Sequence, residues 1–393
     1  MAHWNRKVAI VGVGQTPARS HSHEINQIEQ INQAVKAALE DAQLTPRDID
    51  MNVHGNMELF EGNYQGDLWH VDGYGGFMKP GLRVTTGGTT GGTISCAAIN
   101  LVASDCYDIV MAIGFEKLEE ANATTGITNF YDPLWARWVN AGAINAVSAE
   151  MMLKQFGPSV EETAAKLRVQ IAENAARNPY AHLRQKLTVE DVMKSPYLMY
   201  PLRFLHMCPQ SNAACCIIYA AENKASKISK KPVWIVDHDT AHVENYVAGD
   251  TLLLQEQDRE QKSHRVAARR LYKRVGITDP LKEIDLLEMY DPHVYWHMEW
   301  LDLFLMKEAG YSLGMIERGE TAINGSFPVN PSGGVVASNP IGASGTVRIA
   351  EAALQIRGDA GERQVTREVK TALASAFGGT LWTVLHLLSK SKP

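Results

Sequence analysis

The 393-residue chain is 45% hydrophobic and 21% charged, the balance of an ordinary globular protein, and its length calls for two domains or a duplicated, layered fold. With 38 Lys and Arg against 44 Asp and Glu the net charge is −6, which excludes a general nucleic-acid surface, since phosphate binding needs concentrated positive charge. The five cysteines (Cys96, Cys106, Cys208, Cys215, Cys216) form no C-x-x-C pair, and no run approaches the ~18–20 apolar residues of a spanning helix, so reduced thiols in a cytoplasmic protein without a membrane span are expected.

Lys7 to Gly14 is a continuous apolar run ending in glycine, the pattern of a strand buried on both faces. Apolar residues near i, i+3 and i+4 predict a helix from about Ile25 to Ala42. Thr45-Pro46-Arg47-Asp48 then turns the chain into a short strand over Ile49–His54. The aromatic-rich Trp69–Tyr74 reads as a loop, either lining a pocket or facing a second copy of the chain. Gly87-Gly-Thr-Thr-Gly-Gly92 opens a helix to about Ala103, ahead of a strand over Asp108–Ile113.

The stretch 119–210 is too long for a simple connection and reads as a structured insertion covering a site, helical at Glu150–Gln155 and Val160–Ala176. Trp135 and Trp138 within it either cover a ligand or pack the insertion. Beyond it the opening order repeats: a strand over Pro232–Val236, a helix over His264–Val275, a turn at Thr278-Asp279-Pro280 and a strand over Ile284–Tyr290. Asn339-Pro-Ile-Gly-Ala-Ser-Gly345 opens another helix to about Ile356, followed by a strand over Thr371–Ala376. Matching blocks in matching order predict internal duplication. The N-terminal half takes 1–118 plus 211–228, the insertion 119–210, and the C-terminal half 229–393.

The two glycine-rich openings put unpaired N–H groups and partial positive charge at helix N-termini, which suits anions and developing oxyanions. Close helix packing accounts for the glycines equally well. Neither opening is a Walker A motif or a G-x-G-x-x-G fingerprint. His206-Met207-Cys208-Pro209 has no further ligands at metal spacing, and His293 and His297 at i, i+4 lack the Glu of a zincin, so no metal is expected. Basic Lys262, Arg265, Arg269, Arg270 and Lys273 recur along one helix as a solvated face or a greeting for a ligand phosphate.

The phrases "KVAIVGVGQTPA", "AINLVASDCYDIVMAIGFEKL", "NPYAHLRQKLTVEDVMKSPYLMYPLR", "GGVVASNPIGASGTVRIAEAALQIRG" and "ALASAFGG" span nearly the whole chain. They resemble the thiolase superfamily, above all its sterol-carrier-protein-type and archaeal acetyl-CoA acetyltransferase-like branch. The resemblance implies a duplicated α/β thiolase fold of five αβαβα layers, with a long insertion between the halves. It also implies coenzyme A thioester substrates and no covalently bound cofactor.

The usual chemical groups are nevertheless missing. Counting back from Tyr107 puts the family's nucleophilic cysteine at Gly88, and Cys96, two helical turns on, reads as a core thiol. The family's Gly-His-Pro becomes Ser338-Asn339-Pro340, its second cysteine becomes Ala376 ahead of Gly378-Gly379, and its Asn-Glu-Ala-Phe block becomes Tyr290-Asp291-Pro292-His293. The chain thus resembles thiolase-like side-chain aldolases, which also lack the cysteine.

That likeness implies aldol-type cleavage of a β-hydroxyacyl-CoA in a degradation pathway. The alternatives are a thiolase in which CoA attacks directly, and a non-catalytic scaffold subunit. Tyr290, Asp291, His293 and Asn339 are the candidate catalytic residues, with either Tyr290 or His293 as acid or base. Gly88, Gly378 and Gly379 are the candidate oxyanion and substrate-binding positions. The resemblance further implies a homodimer core and a separate small zinc-ribbon and OB-fold partner.

Overall fold

The computed structural model describes residues 4–58, 60, 66–120, 141–242, 259–378 and 382–393. The first half runs β1 (Val8–Gln15), α1 (Gln27–Ala42), β2 (Met51–Gly55), α2 (Asp67–Tyr74), β3 (Gly81–Arg83), α3 (Thr90–Ala103) and β4 (Ile109–Glu116). Helices α4 (Ala141–Phe156), α5 (Ser159–Ala176) and α6 (Val189–Lys194) follow, with a hairpin of β5 (Tyr197–Met199) and β6 (Leu202–Arg203). β7 (Ala213–Ala221) and α7 (Glu222–Ile228) return the chain to the sheet. Next come β8 (Val233–Ala241), α8 (Ser263–Val275), α9 (Pro280–Glu283), β9 (Leu286–Glu288), α10 (Val294–Phe304) and α11 (Tyr311–Glu317). The chain closes with α12 (Gly334–Ala337), α13 (Ile341–Arg357), β10 (Thr371–Gly378) and β11 (Trp382–Ser389).

Among the described residues, nine strands form a sheet ordered β3-β2-β4-β7-β1-β8-β11-β10-β9. The pairing itself is duplicated. β1 runs antiparallel to β7, β7 antiparallel to β4, and β4 parallel to β2. In the same order β8 runs antiparallel to β11, β11 antiparallel to β10, and β10 parallel to β9. The copies meet where Ala9 faces Trp234 and Ile10 faces Val233.

Alternation along each strand explains the layers, because successive side chains point to opposite faces. Val8 and Ile10 of β1, with Cys215, Ile217 and Tyr219 of β7, enter a central cluster that also holds Ile94, Ile99, Ile349 and Ile356 of α3 and α13. Their neighbours Ala9, Val11, Cys216 and Ile218 face an outer cluster under α1, with Ile31, Ala34 and Ala38. Leu271 of α8 and Leu301 of α10 cover the outer face of the second half with Leu373 and Leu385. Helices α3 and α13 are therefore buried between the sheet halves, and glycine lets them approach. A Cβ on Gly91 would lie 2.5 Å from the Thr346 nitrogen, and one on Gly345 would lie 2.5 Å from the Gly92 nitrogen. Helix packing accounts for these glycines of both openings.

Several elements differ from expectation. Trp69–Tyr74 is helical within α2, with His70 buried and Trp69 exposed, rather than a loop. Helix α4 is longer than Glu150–Gln155, and β9 keeps only three residues because the chain leaves the sheet to build the site. On α8 the expected solvated face is seen: Lys273 is exposed, and Arg269 and Arg270, 44% and 50% exposed, pair with Glu260 and Asp239. No helix of the described residues is long and apolar enough to cross a membrane. Gly379, Trp135 and Trp138 lie outside the described residues.

Candidate active site

The chain leaves β9 at Glu288 and is fixed at once. The Tyr290 N–H donates to Ser375 Oγ of β10 at 3.0 Å, and Asn330 Oδ1 accepts from the Met289 N–H at 2.7 Å. Asp291 is fully buried: one oxygen accepts the Val335 N–H at 2.6 Å, and the other lies 2.9 Å from His297 Nδ1. His293 is the N-cap of α10, and its Nδ1 accepts the Trp296 N–H at 3.4 Å. Asp291 and His293 thus anchor the segment, leaving Tyr290 to present its hydroxyl.

That hydroxyl lies 3.5 Å from Asn339 Oδ1. Asn339 is held from three sides. Ser344 Oγ donates to Oδ1 at 2.9 Å, Nδ2 donates to Cys208 Sγ at 3.2 Å, and the backbone N–H donates to Ser211 Oγ at 3.1 Å. His182 Nδ1 lies 2.9 Å from the same Ser211 oxygen. The insertion supports this wall with side-chain hooks. Asn174 Nδ2 donates to the Asn330 carbonyl at 3.1 Å and Asn178 Nδ2 to the Ser332 carbonyl at 2.9 Å. Below it, Arg348 lies 2.6 Å from Glu288 in the interior, where burial raises the Glu288 pKa and the Arg348 guanidinium opposes that rise.

Burial sets the protonation states. It raises the Tyr290 pKa, holding the side chain as a phenol, and pushes the Cys208 thiol up to about 12. Burial, with His206 nearby, holds His293 down at about 3, so it is a neutral imidazole near pH 7.

Gly88, just ahead of α3, meets the end of β10. A Cβ there would lie 2.9 Å from both Gly378 Cα and the Phe377 carbonyl oxygen, and 3.6 Å from Ile341, two residues past Asn339. A Cβ on Gly378 would lie 2.3 Å from Gly88 Cα. The position that the family resemblance assigns to a nucleophile is closed by backbone. Cys96 is buried beside Ala376 and Val384, 3.4 Å from His386 Nε2, with its thiol pKa raised by burial.

Tyr290 and Asn339 therefore come together, as do Gly88 and Gly378, while Asp291 and His293 fix the segment between β9 and α10 and His293 Nε2 is buried without a hydrogen-bond partner. Cys208, Ser211 and Ser344 were missed as neighbours of the site. The Cys208-Pro209 phrase beside the insertion's end was visible, but nothing local in it points to Asn339.

A family profile described as Thiolase C-terminal domain-like matches residues 248–390. The chain is 31% identical over 393 residues to an acetyl-CoA acetyltransferase of Methanothermobacter thermautotrophicus, covering 98% of this chain and 100% of that protein. It is 26% identical to the sterol carrier protein 2 of Homo sapiens, covering 95% of this chain and 70% of that protein. The Ltp2-ChsH2(DUF35) aldolase matches with a TM-score of 0.80 at 23% identity, over 98% of this chain and 99% of that one, and shares its fold. With a duplicated sheet, two buried central helices and a relative aligned along its whole length, the chain belongs to the thiolase family.

Proposed function

We propose that the chain cleaves or forms a carbon–carbon bond in an acyl-CoA thioester by an aldol-type reaction, without an acyl-enzyme. The observation that carries this reading is the contact between Gly88 and Gly378, which leaves neither a thiol nor room for one. In the cleavage direction the base that takes the β-hydroxyl proton is either the minor phenolate form of Tyr290 or the neutral imidazole of His293. The Cα–Cβ electron pair moves into the thioester carbonyl, leaving a ketone or aldehyde and an enolate. Return of the same proton to Cα restores the base and yields the shortened thioester. Asn339 has two amide N–H groups, of which one meets Cys208, so the other is available to the enolate oxygen. Backbone N–H groups about Gly378 and Gly379 are the remaining candidates for that role.

A second reading, direct attack of the CoA thiol on a β-ketoacyl-CoA, is favoured by relatives named as acetyl-CoA acetyltransferases. One assay separates the two. Purified protein, with its partner if one is needed, is given β-hydroxyacyl- and β-ketoacyl-CoA with and without free CoA. Cleavage of the hydroxy substrate without CoA, and an intact mass free of acyl adduct, are expected. Cleavage only of the keto substrate and only with CoA would establish the second reading, and an acyl adduct on any cysteine would overturn both.

The same reading includes a cytoplasmic homodimer with a small zinc-ribbon and OB-fold partner. Self-association is supported by Leu68, Trp69, Phe77, Met78 and Leu82, large apolar side chains left exposed on α2, β3 and their connection. The partner is suggested by the two-component Ltp2-ChsH2(DUF35) aldolase of the same fold.

A further inference from the structure

Away from the Tyr290–Asn339 pair, the segment after β1 bends back over the end of β4. His21 and His23 project from it with side chains 71% and 79% exposed, while Glu119 beneath them is only 4% exposed. His21 Nδ1 lies 3.4 Å and His23 Nδ1 3.3 Å from the same oxygen, Glu119 Oε2. The rings stack with centroids 5.2 Å apart and 20° between their planes, and both Nδ1 atoms approach the same carboxylate oxygen. These three ligand atoms all fall within 4.8 Å of one another.

The separations decide between two explanations. A charge-assisted N–H···O bond closes to about 2.7–2.9 Å, so two imidazoliums bonded to the carboxylate would sit nearer. Ligands about 2.0–2.1 Å from a tetrahedral metal stand about 3.3–3.4 Å from one another, and each imidazole stands at that separation from the carboxylate oxygen, at 3.4 and 3.3 Å. The carboxylate is also prepared. The Ser22 N–H donates to both its oxygens at 3.0 Å, Lys117 Nζ holds Oε1 at 3.1 Å, and the Glu119 N–H donates to Asn212 Oδ1 at 3.2 Å. Lys117 engages the oxygen opposite the histidines, which leaves Oε2 turned toward them.

We propose that His21, His23 and Glu119 bind a divalent cation of the class that favours imidazole, with Zn2+ as the reference ion and one position open to water or a further ligand. Such a site fastens the 19–23 segment to the end of β4. It also lies at the head of a hydrogen-bonded line, since Ser20 Oγ meets His182 Nε2 at 2.8 Å and His182 reaches Ser211, the residue that holds the Asn339 backbone. The proposal stands apart from the reaction assigned to Tyr290 and Asn339.

Its test is titration of the full chain with Zn2+ alone, in a Cys106→Ser background because Cys106 is an exposed thiol. The same titration is run on a His21→Ala/His23→Ala double variant, whose exposed side chains are not needed for folding. One equivalent per chain is expected. Losing an outer-shell partner alone costs about 10–100-fold in metal affinity, so loss of two ligands is expected to weaken binding by at least about a hundredfold. Co2+ in place of Zn2+ is expected to show the strong visible absorption of a four-coordinate site, absent from the variant. Failure of the parent to bind Zn2+, or equal affinity and stoichiometry in parent and variant, would overturn the proposal.

Discussion

Tyr290 offers its hydroxyl to Asn339 across 3.5 Å, a separation too long for a strong resting bond but within reach of a substrate oxygen placed between them. Removing that hydroxyl should therefore cost chemistry rather than stability. Tyr290→Phe is expected to lower kcat by on the order of 10²-fold. Its denaturation midpoint should stay within about 1 kcal/mol of the parent. The pH profile identifies the acting group. Burial raises the Tyr290 pKa, so the phenolate fraction, and with it the rate, should climb through the alkaline range past about pH 10. His293, held at about 3, would instead be an unprotonated base throughout, giving a rate flat between about pH 5 and 8. A flat profile with an unimpaired Tyr290→Phe variant would move the assignment to His293. Both residues were legible in the sequence because their phrase stands where the family keeps its own block. Cys208 was not, because it reaches Asn339 across 131 residues and no local pattern encodes such a contact.

The elements repeat the lesson at larger spacing. Buried strands such as β1 and β4 announce themselves as unbroken apolar runs, and α1 shows its start through the Asn26–Glu29 capping box. Helix α2 was hidden because Gly73 and polar residues break its periodicity, while its structure rests on contacts such as His70 with Gln27 at 2.7 Å. β9 was read too long because Tyr290 remains apolar in type after the chain has turned away toward Ser375. The glycine-rich openings were recognisable, but whether ligand or packing required them depended on what crossed them. Gly88 gives this a direct test. Gly88→Ala places a methyl 2.9 Å from backbone atoms of Gly378 and Phe377, and over-packing of that kind costs about 1–3 kcal/mol. A loss of that size in urea unfolding is expected. An unchanged midpoint would mean that the end of β10 yields, and that the nucleophile position is not closed after all.

Across the described residues, several interior histidines are kept neutral by burial. His54 is held at about 4 and His70, His206 and His293 at about 3, with desolvation the leading cause in each. Each folded value lies below the ordinary 6.5 or so, so the unfolded chain binds more protons in mild acid. The stability these groups contribute is present above about pH 6.5 and is lost as the pH falls toward their folded values. Each proton taken up costs about 1.4 kcal/mol per pH unit. The urea midpoint should accordingly fall steeply between about pH 6.5 and pH 5. A midpoint constant over that range would show that these rings do not exchange burial for protonation on unfolding.

The crossing of α3 and α13 has a consequence for how the two copies can change over generations. Outer helices such as α1 and α8 each cover their own half, so a change in one does not press on the other. At the crossing, Gly91 faces Thr346 and Gly345 faces Gly92, with no gap that either copy could fill alone. A larger residue arising in one central helix must wait for a matching loss, or a shift, in the other. The asymmetry between the halves sits beside that crossing, since Asn339 precedes α13 while the matching position ahead of α3 is a bare Gly88. At their shared axis the two halves can change only together.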